Sequence, residues 1–159
     1  MEEKAFQDYY PDEMSYCYGC GRSNDDGLHI KSYWEGEESV ARFTPRHYHT
    51  ALPGFVYGGL VASLIDCHGV GTAAAATYRA EGRSMDTEPR LRFVTASLKV
   101  DYVRPTPIGV QLEARGKVKE VGKRKVVVSI EVTAKGTVCA RGEVIAVRVP
   151  ESMKQKGNR

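Results

Sequence analysis

Long uninterrupted apolar runs are missing from this sequence. The longest, Gly54 to Ile65, is glycine-rich and shorter than the roughly 20 residues a bilayer-spanning helix requires. No membrane association is expected from it. An excess of one charge is missing too: 23 Lys and Arg stand against 20 Asp and Glu, a net +3 over 159 residues. A mixed surface of that kind offers no footing for nucleic acid. Cysteine is scarce, with four residues in all, so a disulfide-stapled scaffold is excluded. The opening MEEKAFQDYYPDEM has no basic start followed by an apolar run, so it does not read as a secretory signal. The expected setting is a reducing cytoplasm. No internal repeat or linker is visible. What is left is one ordinary globular domain, 42% apolar and long enough to bury its own core.

Metal binding would have to rest on a sparse set of ligands. Cys17 and Cys20 form a single CxxC, whereas Cys67 and Cys139 stand alone and the histidines His29, His47, His49 and His68 are scattered. A structural zinc normally takes a second ligand pair at matched spacing. No metal is therefore expected, and the CxxC reads as a tight turn in which Gly19 and Gly21 supply positive φ values. Residues 1–27 form a polar lead containing this turn, residues 28–150 the domain, and residues 151–159 a polar, frayed tail.

Within the domain, hydropathy patterning places six strands and one helix. Leu28–Trp34 and Ser39–Phe43 make a first strand pair, joined by the polar Glu35-Gly36-Glu37-Glu38. YGGLVASLIDCHGVGTAAAATYRAEG is helical in character: Leu60 and Leu64 are four apart, Ala73 to Ala76 is a run of the best helix former, and Gly82 is a stop. Few charges precede Arg79, so this helix is apolar nearly all round and should be buried. The rest alternates with period two. Val110, Leu112, Ala114 and Val118 oppose Gln111, Glu113, Arg115, Lys117 and Lys119. Val126, Val128, Ile130, Val132 and Ala134 oppose Ser129, Glu131, Thr133 and Lys135. Strands at Leu91–Arg104 and Thr137–Val149 complete the set, with turns at Gly122-Lys123 and Lys135-Gly136-Thr137. Alternation with one wet face means an antiparallel sheet whose dry face must be covered. The expected fold is α+β, a sheet of about six antiparallel strands wrapped around one long central helix.

Two features of that helix carry chemistry. Asp66 interrupts its apolar middle, and a buried carboxylate is costly unless paired or hydrogen-bonded. It either bonds a neighbour such as His68 or a hydroxyl, or it acts as a general base or nucleophile. His68 sits about 200° further round the helix and so off the Asp66 face; it is read as a packed or partner-bonded histidine. Gly58-Gly59 opens the helix, where free N–H donors and positive partial charge can polarise a carbonyl. The glycines could equally serve close packing. Gly58 and Asp66 are eight positions apart, roughly 12 Å along the axis, too far for both to touch one carbonyl. If both act, Asp66 must meet the glycine turn of a second subunit, at two equivalent sites of a dimer.

The stretch PGFVYGGLVASLIDCHGVG resembles the signature of hotdog-fold acyl-CoA thioesterases, in the branch of the phenylacetyl-CoA-type and THEM-type enzymes. Supporting matches are LKVDYVRPTPIG and the lead CYGCGRSNDDGLHI. The resemblance implies hydrolysis of an acyl-CoA thioester by a homodimer or a dimer of dimers, with no cofactor beyond the CoA of the substrate. It maps the family's acid onto Asp66, its oxyanion donor onto the Gly58 N–H with Gly59 beside it, and a water-placing hydroxyl onto Thr95. Two positions depart from the pattern. Tyr57 stands where the family has His, and Ala51 where some members have Asn or Gln; His49 is close enough in sequence to substitute. Arg104 is the candidate for the CoA phosphates, because Pro105 fixes the loop after it. Phe55, Leu60, Tyr78 and Phe93 are expected to shape the acyl pocket. A ligand-binding member without catalysis is the alternative. A hotdog hydratase is disfavoured, since Thr44-Pro45-Arg46-His47 lacks the Asp and Asn of that pattern.

Overall fold

In the computed structural model the described residues are 3–149 and Met153; the rest of the expected tail lies outside them. The apolar stretch after Pro53 forms one helix, α1, Gly58–Ala80. At 23 residues, with a window of mean hydropathy 1.3, it is long and apolar enough to span a bilayer, contrary to the expectation from the uninterrupted run alone. Two thirds of that window is buried in the protein, as a core helix would be.

The sheet comprises β1 Ser32–Glu35, β2 Glu38–Phe43, β3 Phe93–Tyr102, β4 Leu112–Val121, β5 Lys125–Ala134 and β6 Thr137–Arg148. All pairings are antiparallel, in the order β1-β2-β4-β5-β6-β3. The period-two alternation holds: Leu112, Ala114, Val126, Val128, Ile130, Val132 and Ala134 are buried under α1 while Glu113, Ser129 and Glu131 face outward. The helix sits so tightly on β6 that a Cβ at Gly142 would lie 2.8 Å from Ile65 Cγ2 and 2.8 Å from the Lys99 carbonyl oxygen. The turn Lys135-Gly136 takes positive φ at both residues, as a tight hairpin demands.

The first strand begins four residues later than its composition suggests. The N–H groups of Leu28 and Ile30 donate to the carbonyls of Tyr18 and Gly19, at 2.8 and 3.0 Å, so this segment braces the CxxC turn instead of joining the ladder. The lead is itself packed: Ala5, Phe6, Gln7 and Ser15 are buried. Gln7 Nε2 donates to Ser32 Oγ, and Ser32 N–H donates to Gln7 Oε1.

His68 belongs to this frame. It is fully buried, with Nδ1 2.8 Å from Ser32 Oγ and Nε2 3.0 Å from Ser39 Oγ. Burial pushes its pKa down to about 4, so the imidazole is neutral and serves as a core connector.

Candidate active site

Asp66 lies on the flank of α1 that faces β3. It is half-buried, not sealed in the core as its apolar surroundings suggested. The reason is topological: β3 is an edge strand and leaves this flank open. Thr95 Oγ1 donates a hydrogen bond of 2.5 Å to Asp66 Oδ1. The register of β3 on β6 slips between Thr95 and Ser97, a bulge that re-aims the strand where the acid sits. The bond fixes the carboxylate's orientation, and its second oxygen is left to work on a substrate or water. Both residues line a pocket of about 250 Å³ whose walls include Tyr10, Met14, Val70, Leu91 and Phe93.

The other predicted residues gather around the start of α1. Tyr57 is the N-cap, in an extended conformation, and Gly58 is the first helical residue. Its N–H is one of the donors that no turn of the helix can satisfy. Phe55, Gly58 and Arg104 line a second pocket of about 400 Å³, with Ala51 and Tyr102. Tyr102 Oη donates to the Gly58 carbonyl at 2.6 Å and so holds the first turn in place. Arg104 is exposed; its guanidinium donates to the Val138 carbonyl at 3.1 Å. The exposed Tyr57 ring lies over Gly59.

His49 joins this group by its backbone, since its carbonyl accepts from Tyr57 N–H at 2.9 Å. Its ring lines a different cavity and accepts from Arg46 N–H through Nδ1. Burial and the nearby Arg46 and His47 hold its pKa below the usual range, so Nε2 carries the proton. Of the expected acyl-pocket residues, Phe93 lines the Asp66 pocket and Phe55 the second one. Leu60 and Tyr78 are core residues, and the Tyr78 hydroxyl accepts from Leu91 N–H.

Within one chain, then, the acid and its threonine occupy one pocket and the glycine donor another. Asp66 and Thr95 line the one cavity and Gly58 the other, in keeping with their eight-residue separation along α1. Sequence reasoning missed Tyr102, although it is the aromatic of the LKVDYVRPTPIG match. It also missed Tyr10 and Met14, which reach the acid's pocket from the lead.

The thiols of Cys17, Cys20 and Cys67 line the acid's pocket as well. Hydrogen bonds from the Cys20 and Cys67 thiols hold Cys17 far below the ordinary thiol range. Its partners are raised in turn, Cys20 to about 12 and Cys67 higher still. Neither Gly19 nor Gly21 has a positive φ, so the turn is not the one expected. The glycines are there for close approach: a Cβ on Gly19 would collide with Cys67 Sγ.

Residues 53–141, more than half of the chain, match the family profile of the thioesterase superfamily. The chain belongs to that family. A solved thioesterase superfamily protein from Shewanella loihica PV-4 is 50% identical, the alignment covering 89% of this chain and 100% of that one at a TM-score of 0.68. Acyl-coenzyme A thioesterase THEM4 from Xenopus laevis is 34% identical over 93 residues, 58% of this chain and 36% of that protein. The chain thus spans about a third of the length of this curated relative. The PaaI protein of the E. coli phenylacetic acid degradation operon shares the fold at a TM-score of 0.62 and 20% identity, covering 77% of this chain and 81% of that one. The six-stranded antiparallel sheet around one long helix is the hotdog fold of these thioesterases.

Proposed function

We propose that this member of the thioesterase superfamily hydrolyses an acyl-CoA thioester to the free acid and CoA, as a homodimer with two shared sites. The Asp66–Thr95 hydrogen bond carries the reading, because it presents an oriented carboxylate on an apolar-walled pocket. Asp66 takes a proton from water as the water oxygen attacks the thioester carbon. The Gly58 N–H of the partner subunit receives the carbonyl oxygen as it gains charge. The C–S bond then breaks, and the CoA sulfur leaves with the proton that Asp66 had accepted. The acyl part lies against Phe93 and Leu91, and Arg104 meets the CoA phosphates. No cofactor is needed beyond the CoA of the substrate, and a cytoplasmic setting is consistent with four free thiols.

The sheet edges support a dimer. The β1 edge is four residues long, but the β3 edge runs for ten. It carries exposed Leu98 and Tyr102, with exposed Val103 just beyond its end. A long edge strand that exposes apolar side chains and has no second partner among the described strands is a pairing surface. Pairing β3 with a partner's β3 would continue the sheet and bring a second glycine turn toward Asp66. Thiol release from a panel of acyl-CoAs by the wild type and by Asp66→Ala tests the reading: equal rates would overturn it.

Tyr57 and Ala51 favour one second reading, a protein that binds acyl-CoA without cleaving it, since neither supplies the side chain found in the family pattern. An acyl-CoA that raises the melting temperature of the wild type but is not consumed would establish it.

A further inference from the structure

We propose that Cys17, Cys20 and Cys67 form a three-thiolate zinc site that clamps the N-terminal lead onto α1 at the residue next to Asp66. The three sulfurs lie within 4.8 Å of one another, and the Cys17 and Cys67 sulfurs are 3.8 Å apart. Sulfurs on a tetrahedral zinc, each about 2.3 Å from the ion, are separated by about 3.8 Å. A disulfide would place them about 2.05 Å apart. All three thiols are free.

The approach is built by the surrounding backbone. Gly21 N–H donates to the Cys17 carbonyl at 2.7 Å and closes the turn. The Leu28 and Ile30 N–H groups brace it from behind. Only a residue without a Cβ at position 19 lets Cys67 come this close, and a Cβ at Gly21 would strike the backbone of Cys17 at 2.5 Å. Nothing in thioester hydrolysis requires three converging thiols, so the function proposed above does not account for them.

Three soft thiolates without an imidazole select zinc over hard cations. The missing second ligand pair, which argued against metal in the sequence, is replaced by a sulfur 47 positions on, brought in by the helix. Three protein ligands leave a fourth position, and these sulfurs line the same pocket as Asp66. Cys139 lies elsewhere, buried on β6 with its thiol donating to the Thr137 carbonyl.

The test is metal content of the full chain, purified without a histidine tag under reducing conditions and incubated with zinc before exhaustive dialysis. About one zinc per chain is expected. Cys17→Ser, Cys20→Ser and Cys67→Ser should each lose most of it, and Cys139→Ser should keep it. Circular dichroism confirms that each variant is folded. Cobalt loading of the wild type should give a thiolate charge-transfer band and the intense visible bands of a four-coordinate ion. A wild type that retains no zinc above its dialysis buffer overturns the proposal. So does zinc retained by the folded Cys17→Ser/Cys67→Ser double variant, or mass spectrometry showing a Cys17–Cys67 disulfide in the reduced preparation. None of these readings depends on whether the protein cleaves a thioester.

Discussion

Gly58→Pro tests the proposed oxyanion donor, because it removes the N–H of that residue at a position where the helix accepts the proline ring. Position 58 is the first residue of α1, where proline is tolerated in helices. Tyr57 before it has φ −58° and ψ 130°, an extended conformation that a following proline accepts. A Cβ at position 58 would meet the Tyr102 ring at 3.4 Å, an ordinary contact. The melting temperature should therefore hold. The rate should not. An oxyanion donor is worth about 2.7–4 kcal/mol, or roughly 100- to 1000-fold in kcat. Because the donor matters most in the transition state, the loss should appear in kcat with KM little changed. Gly58→Ala is the control: it adds the same Cβ but keeps the N–H, and should stay within a few-fold of wild type. The assay is disappearance of the thioester's ultraviolet absorbance, which avoids interference from the protein's own thiols. A folded Gly58→Pro protein with wild-type kcat would refute the assignment of the donor.

Asp66→Asn should abolish turnover while leaving thermal stability unchanged or higher, since the half-buried acid is held by one threonine and is not needed by the core; heat denaturation beside the rate assay checks both. Thr95→Val keeps the shape but frees the carboxylate, so kcat should fall about 10-fold with Thr95→Ser restoring it, less than the roughly 100-fold or more that the acid–base group itself supplies. Gly142→Ala should destabilise the fold by about 1–3 kcal/mol in urea titration, because its Cβ would press on Ile65 and the Lys99 carbonyl. His68→Leu should cost about 2–4 kcal/mol by the same method, as it strips the buried Ser32 and Ser39 hydroxyls of a partner.

Much of this fold is legible in one sequence because β4 and β5 alternate cleanly, and alternation reports which face is dry. The start of β1 escapes such a reading for a reason no local pattern carries: Leu28 and Ile30 spend their N–H groups on the CxxC turn, contacts set by packing. Asp66 is visible as an anomaly, but a helix apolar all round has no wet side to reveal which flank an acid faces. Its half-exposure follows from strand order, with β3 at the edge. Thr95 is reachable only by aligning a strand to Pro105, and the bulge at Ala96 is what turns its hydroxyl to the acid. Cys67 reads as a lone cysteine in the sequence because its partners are about fifty positions away. Tyr102 stands in plain view within a recognised motif, yet its bond to the Gly58 carbonyl needs three dimensions.

In the proposed dimer, acid and donor come from different subunits, and subunit mixing tests that division most directly. Asp66→Ala and Gly58→Pro should each be inactive as homodimers. Mixed, dissociated and reassociated, half of the dimers are heterodimers, and each of these has one site with both groups intact. Activity should rise from near zero to about a quarter of the wild-type value at equal mixing. A mixture that forms heterodimers but stays as inactive as its components would place both groups in one subunit and contradict the shared site.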